Sequence, residues 1–446
     1  MIEVDISGTE FSYDMKALAM VFYPEKECRV VEHPEVSTED GYSIKWQMDG
    51  KKWEKLFPNP YTKNQIKKEV YEYLKTQSGK ELPWGILTGI RPAKIPLRLM
   101  MQGQEEAAIR DILKEGYFCR DDKVKLAMDV AKKEFSLTQG MQHERCANVY
   151  IGIPFCPTIC AYCSFSSFPA GRYRDKMDAY LDALEKEMTQ CKEWLAGKQM
   201  VSVYVGGGTP TSLSEEQFER LMAMIEKYLS MEQSKEFTVE AGRPDSITEG
   251  KLRSMKAHGV TRISINPQSM KEHTLELLGR KHTVEEIREK FMLARTLGFD
   301  NINMDLIAGL PEETLEDFKE TLREVEALKP DSITVHTLVI NGHPDCGKSS
   351  WSRAVRCVRK MPASNRCKKR QSSFAGYTDM SRIICTARKI RHIRREIPIR
   401  KMWLMQNREK NVCITYLLWR NCSRSWHLAA EVRPRSYFRR KTGWNE

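Results

Sequence analysis

The feature that most limits the fold is an alternation. Six short apolar runs, NVYIGI (148–153), VSVYV (201–205), EFTVE (236–240), RISI (262–265), NINMDLI (301–307) and SITVHTLVI (332–340), are separated by helical stretches. Within 172–196, Met177, Leu181, Leu184, Met188, Cys191 and Leu195 fall on one helical face. Ser214 with Gln217, Thr283 with Glu286, and Thr314 with Asp317 read as capping boxes, in which hydroxyl and N3 side chain each satisfy an orphan backbone donor. Parallel neighbours need a crossover, and a helix is the usual one. The expected class is therefore α/β, a parallel sheet covered by helices. The alternation does not separate an open sheet from a partial or full barrel. In each of these, functional side chains gather at the C-terminal ends of the strands. Cys156 follows the first strand, Gly206, Gly207 and Gly208 the second, Glu240 ends the third, Gln268 follows the fourth, and Asp305 lies in the fifth.

The flanks differ from this core. Residues 1–145 read as a small α+β domain with no visible chemistry of its own. An Asp-Gly turn joins two alternating runs within 41–57. A capping box at Thr62 and Gln65 opens a helix through Ile66, Val70, Tyr73 and Leu74, 81–94 is a loop, and two helical stretches follow up to about 138. After Ile340 the rhythm stops. Residues 341–446 hold 26 Lys+Arg and 6 Asp+Glu, a net of +20. The first 340 then hold 72 − 26 = 46 basic and 60 − 6 = 54 acidic groups, a net of −8, so the overall +12 belongs to the tail. Its basic and aromatic residues follow no helical or hairpin spacing, which weighs against a nucleic-acid-binding arm. Codons open to Asn341–Gly347 (AAC GGG CAT CCA GAC TGT GGG), read one base earlier, give a segment ending Arg-Ala-Ser-Arg-Leu-Trp. The same shift across 419–432 permits an ordinary globular segment with a glycine turn. The expectation is a frameshift near residue 340, in the gene or in its sequencing, and an irregular tail over 341–446 that does not pack as a domain.

The opening MIEVDISGTEF has neither a basic nor an apolar leader region, and no apolar run is long enough to span a bilayer. A cytoplasmic protein is expected, with its 13 cysteines serving as thiols or metal ligands rather than disulfides. Three of them, Cys156, Cys160 and Cys163, form a C-x3-C-x2-C array in IPFCPTICAYC. A structural zinc loop needs a fourth ligand, which His143 or Cys146 could supply. An iron–sulfur cubane on three thiolates needs none, and leaves one iron open for a substrate or cofactor. The position of the array, on the first strand-to-helix loop, favours the cluster.

This array, with an aromatic (Tyr162) before its last cysteine, resembles that of the radical S-adenosylmethionine (SAM) superfamily. The resemblance implies a partial (β/α)6 barrel over 146–340 and a [4Fe–4S] cluster held by Cys156, Cys160 and Cys163. The open iron would chelate the amino and carboxylate groups of SAM, whose one-electron cleavage yields methionine and a 5′-deoxyadenosyl radical. The glycine-rich YVGGGTPTSL, with Gly207, Gly208 and Thr209, matches the family's segment for the SAM amino group, and Glu240 its ribose position. Tyr150, Tyr162, Gln268, Arg280 and Asp305 match further SAM-contacting positions. LLGRKHT followed by GFDNINMDLIAGLPEET resembles the oxygen-independent coproporphyrinogen III oxidases of haem biosynthesis, and GILTGIRPAK the HemZ-type coproporphyrinogen dehydrogenases. The implied reaction is oxidative decarboxylation of two propionates of coproporphyrinogen III to vinyl groups. It draws on an electron donor and an acceptor that the sequence does not identify. Arg243, Arg262 and Lys281 lie near strand ends as candidates for gripping the propionates. One departure stands out: some members carry a further cysteine just after the third ligand, where this chain has Ser164 and Phe165. Haem chaperones of the same superfamily also lack it, so haem binding without porphyrinogen oxidation is the second reading. Loss of the usual C-terminal domain to the tail would favour SAM binding over turnover.

Overall fold

A computed structural model describes residues 1–337, apart from 25, 36–40, 89–90, 142–144, 164, 166 and 233, together with 404–406 and 425–428. The chain divides into two units, Met1–Gln139 and Gly140–Glu446.

In the first unit, β1 (Ile2–Ser7), β2 (Cys28–His33), β3 (Tyr42–Met48) and β4 (Lys51–Phe57) form a sheet of order β2-β1-β3-β4. The expected hairpin joins β3 to β4. Its turn puts both Asp49 (φ 50°) and Gly50 (φ 78°) in the left-handed region, as a two-residue hairpin loop of this kind demands. The parallel pairing of β1 with β2 was not visible in the sequence; α1 (Ser12–Phe22) is its crossover. The capping box at Thr62 opens α2 (Lys63–Ser78), and Gly79 ends it in a left-handed turn. Where two helical stretches were expected there are three: α3 (Lys94–Met101), α4 (Glu106–Asp111) and α5 (Asp121–Thr138). Left-handed Gly103 stops the first, and a π-helical turn over Ile112–Gly116 closes the second. Four charged groups buried in this unit form two pairs, Lys67 with Asp14 (3.2 Å) and Arg91 with Glu134 (2.6 Å), as burial requires.

The second unit carries the alternation. Its elements are β5 (Cys146–Ile153), β6 (Phe155–Cys156), β7 (Phe168–Pro169), α6 (Ala170–Tyr173), α7 (Met177–Leu195), β8 (Gln199–Gly207), α8 (Glu215–Tyr228), β9 (Glu236–Gly242), α9 (Glu249–Ala257), β10 (Arg262–Ile265), α10 (Glu272–Leu277), α11 (Val284–Thr296), β11 (Ile302–Ala308), α12 (Leu315–Leu328), β12 (Ser332–Thr337), β13 (Leu404–Gln406) and β14 (Ser425–Leu428). All six strands read from the sequence exist, although 338–340 of the last one lie outside the described residues. The helix expected over 172–196 is broken by a 3-10 turn at Arg174–Lys176, and α10 was not foreseen. Strands β5, β8, β9, β10, β11 and β12 lie side by side in chain order, every pair parallel. Each crossover therefore steps the same way, which puts the helices on one face. Among these six strands no reversal of order makes a doubly wound sheet. This α/β order is that of a partial barrel. Among the described strands its edges are not joined: β14 lies parallel on β5 and β13 antiparallel on β12. The rest of 341–446, and with it the expectation for that tail, lies outside the described residues.

The two faces of the sheet are chemically opposite. Val149, Ile151 and Ile153 of β5, Val203 and Val205 of β8, Phe237 and Val239 of β9, Ile263 and Ile265 of β10, and Met304 and Leu306 of β11 join the core under the helices. The alternate positions are polar and mostly buried: Asn148, Ser202, Glu236, Thr238, Glu240, Arg262, Ser264, Asn303, Asp305, Ser332 and Thr334. Near the N-terminal ends of the strands these side chains satisfy one another. Ser202 bonds Asn148 (2.7 Å), Arg262 bonds Ser332 (2.9 Å), and Ser332 and Thr334 both donate to Asn303 Oδ1 (3.0 Å each). Near the C-terminal ends they face a site.

Candidate functional site

The cysteine loop leaves β5 and is closed at its base by the short parallel pair β6–β7, with Phe155 opposite Phe168 and Cys156 opposite Pro169. Inside the loop, Cys163 N–H donates to Cys160 C=O (2.9 Å). Its outer edge is held by the segment after α10, where Ala161 N–H donates to Leu278 C=O (3.1 Å) and the Thr158 hydroxyl to Gly279 C=O (2.8 Å). Cys156 and Cys160 are buried and Cys163 half-buried. Burial pushes the Cys156 thiol up, the Thr209 hydroxyl at 3.5 Å pulls it down, and the two other cysteines push it up again, so the three sulfurs sense one another.

The glycines at the end of β8 bring a second segment against this loop. Gly208 N–H donates to Ile153 C=O and Thr209 N–H to Phe155 C=O, both at 2.7 Å. A Cβ on Gly208 would lie 2.6 Å from the Phe155 carbonyl oxygen, and one on Gly206 would lie 2.7 Å from the Tyr204 ring. Gly207 has φ 109°, a conformation side chains resist.

On the polar face, Tyr150 and Tyr204 stack with ring centroids 5.8 Å apart. The Tyr204 hydroxyl donates to Glu240. Burial, then the Glu240 carboxylate, raise both phenols well above their ordinary value, so both stay protonated. Gln268, at φ 69°, donates its N–H to Asp305 C=O and accepts from Ile307 N–H, both at 2.9 Å. Its side-chain Oε1, the Oδ1 of Asn266 and the Ser264 hydroxyl are buried with no hydrogen-bond partner. Asp305 accepts from Asn303 Nδ2 (2.8 Å), and the His336 ring lies 3.9 Å from it. Arg280 is buried. It donates to Asn266 C=O and to the Tyr162 hydroxyl (3.1 Å), and its Nη1 lies 3.7 Å from the Cys160 sulfur. The Tyr162 ring packs against Leu278, Ile307 and Leu310.

The radical SAM superfamily model matches residues 150–325. The core is a radical SAM domain. The chain is 40% identical over 280 residues to the oxygen-independent coproporphyrinogen-III oxidase-like protein HemZ of Bacillus subtilis, covering 62% of this chain and 56% of that protein. It is 38% identical over 194 residues to the heme chaperone HemW of the same organism, covering 43% and 50%. It is 33% identical over 207 residues to the oxygen-independent coproporphyrinogen III oxidase of Escherichia coli, covering 46% and 45%. The chain thus spans about half the length of the curated relatives it matches. Among solved structures, the E. coli coproporphyrinogen III oxidase HemN, described as a radical SAM enzyme, aligns at 29% identity with a TM-score of 0.45, covering 55% of this chain and 54% of that one.

Radical SAM domains work with a [4Fe–4S] cluster and SAM, and the residues present suit that pair. The chain offers three thiols on one closed loop, glycines that pack directly on the backbone at the base of that loop, and buried oxygen acceptors without donors at the same end of the sheet. Among the described residues, no three His, Cys, Asp or Glu side chains meet at a point suited to a single metal ion. Each thiolate of a cubane bonds a different iron, so its ligands need not meet at one point. The alternative zinc ligand Cys146 begins β5, about 23 Å of strand from the other end of that element, and His143 lies outside the described residues. Among the described residues no helix is long and apolar enough to cross a membrane.

The structure gathers all the residues singled out for cofactor contact around one end of the radical SAM sheet. The candidates for the propionates fare differently. Arg262 begins β10, at the opposite end, and is committed to Asn301 (3.0 Å) and Ser332 (2.9 Å). Arg243 is buried and engaged by Asp245 and the cysteine loop. Lys281 is exposed. Sequence reasoning missed Tyr204, Asn266 and His336. Tyr204 could have been found by pairing its strand with Tyr150 at equal distance from the motif ends; the other two carry no local signal.

Proposed function

We propose that this chain uses its radical SAM domain for oxygen-independent oxidative decarboxylation of coproporphyrinogen III to protoporphyrinogen IX. The observation that carries the reading is the convergence of the cysteine loop, the glycine segment after β8 and the carboxylates of Glu240 and Asp305 toward one end of the sheet, in a chain 40% identical over 280 residues to HemZ. Cys156, Cys160 and Cys163 would hold the cluster. When bound, the cluster and SAM supply hydrogen abstraction from the substrate.

The remaining work falls to the protein. Gly208 and Thr209, whose N–H groups are bonded to Ile153 and Phe155, would line the amino acid end of SAM. Glu240, oriented by Tyr204, would accept from the ribose hydroxyls. Gln268 and Asn266 would offer buried acceptors to the nucleotide's donors, which would relieve the cost of leaving them unsatisfied. Tyr162 packs on Leu278 and Leu310 and shields the loop from water.

Anaerobic reconstitution with iron and sulfide, followed by assay of 5′-deoxyadenosine and of vinyl groups, tests this. Both should form in the wild type, and Cys160→Ala should reduce both to background. The similarity to HemW and the serine after Cys163 favour one other reading, haem transfer without porphyrinogen oxidation. Stoichiometric haem binding with no vinyl product would establish that alternative.

A further inference from the structure

The three cysteines are not equivalent. Cys156 faces the hydroxyl of Thr209, whereas Cys160 faces two guanidinium groups, Arg243 Nη1 at 3.8 Å and Arg280 Nη1 at 3.7 Å. Arg280 was expected from the sequence; Arg243 was not expected here. It follows β9 directly and is buried. Its Nε and Nη2 are taken up by the two oxygens of Asp245 (2.9 and 2.5 Å). That fork leaves Nη1 aimed at the cysteine loop, where it also meets Thr158 C=O (3.0 Å) and the Thr158 hydroxyl (2.6 Å). Asp245 in turn lies 3.7 Å from the His282 ring, and His282 Nε2 is 3.5 Å from Arg280 Nε. Asp245 and the His282 ring thus connect the two guanidinium groups that face one sulfur.

We propose that Arg243, held in place by Asp245, is a positioning residue that ties the cysteine loop to β9 and, through the Cys160 sulfur, sets the reduction potential of the cluster. This rests on the cluster assignment made above. Reduction adds one electron, and so one negative charge, to the cluster. N–H donors on a ligand sulfur stabilise the reduced form, and burial enlarges the effect because little water screens it. Asparagine at 245 keeps an acceptor oxygen for Arg243, and Thr158 still receives Nη1, so Asp245→Asn removes mainly a negative charge and the two substitutions should move the potential in opposite directions.

The test is a potentiometric titration of the full chain, reconstituted anaerobically without SAM, reduced by one electron from dithionite and followed by the EPR signal of the reduced cluster. Arg243→Gln should lower the reduction equilibrium about tenfold, a shift of about 59 mV to more negative potential. Asp245→Asn should move it by a similar factor the other way. Shifts of opposite sign at full iron content support the proposal. Two variants within about twofold of the wild type, or shifting together, overturn it. Should Arg243→Gln fail to hold iron, Arg243→Lys decides, since it keeps the charge but loses the guanidinium fork: a downward shift supports the proposal, and an unmoved or raised potential overturns it. A wild type that takes up no cluster overturns the cluster assignment and this proposal together. A loaded wild type with unmoved variants overturns this proposal alone.

Discussion

The two faces of the six-stranded sheet share a backbone and almost nothing else. One face is aliphatic and aromatic, covered by helices, and each side chain on it could be exchanged for another apolar one of similar volume at modest cost. The other is polar yet equally buried, and its side chains are tied to particular partners across neighbouring strands. The comparison teaches where stability and chemistry separate. Burial of apolar area on the first face drives folding. The second face offers less of that drive and must satisfy every polar group it buries, a cost that only a functional site offsets.

The largest expected effect tests the first face. Phe218 is fully buried in the helix-side core, on α8. Phe218→Ala should destabilise the core by about 3–5 kcal/mol through lost transfer energy and the cavity left behind. It should leave cluster content per folded molecule unchanged. Denaturant unfolding, with iron measured on the folded fraction, checks this. A loss of iron without loss of stability would show that the faces are not separable.

A smaller effect tests the second face. Glu240→Gln is nearly isosteric and keeps an acceptor for the Tyr204 hydroxyl. It removes the negative charge proposed to meet the ribose. SAM affinity of the reconstituted protein should fall about tenfold, equivalent to about 1.5 kcal/mol, with the unfolding midpoint nearly unmoved. An unchanged affinity would remove Glu240 from the proposed site and weaken the contrast between the faces.

The sequence was most informative where structure is set locally. The four capping boxes at Thr62, Ser214, Thr283 and Thr314 all form, because hydroxyl, amide and N3 side chain lie within four residues. The strands were legible for the same reason, their apolar face repeating every second residue. The cysteine array was legible because its ligands lie on one loop. What escaped was set by strand order. Arg243 reaches Thr158 across 85 residues and Arg280 reaches Cys160 across 120, contacts that no local pattern records. Arg262 and Arg243 looked alike as basic residues near strand ends. They belong to opposite ends of the sheet, and strand direction is what separates them. The division of this stretch into α3, α4 and α5 was not read out, although left-handed Gly103 in the polar run Gln102–Glu106 marks the first break.

The smallest effect probes charge outside both faces. His258, at the end of α9, lies between two carboxylates of α8, Glu219 at 2.9 Å and Glu226 at 2.7 Å. Burial lowers its pKa, but the two carboxylates outweigh that and hold it above the ordinary histidine value. Because the folded-state pKa is raised, the stability gained is fully present below the unfolded value of about 6.5 and is lost as pH rises through the folded value. The carboxylates are more than half exposed, so solvent screening keeps the contribution under about 1 kcal/mol. His258→Gln should flatten this part of the pH profile of the unfolding midpoint above about pH 6.5 and leave SAM affinity unchanged. A wild-type profile with no such decline would show that these exposed carboxylates do not bias the imidazole. Exposed charge would then carry even less than the contrast with the buried Arg243–Asp245 pair implies.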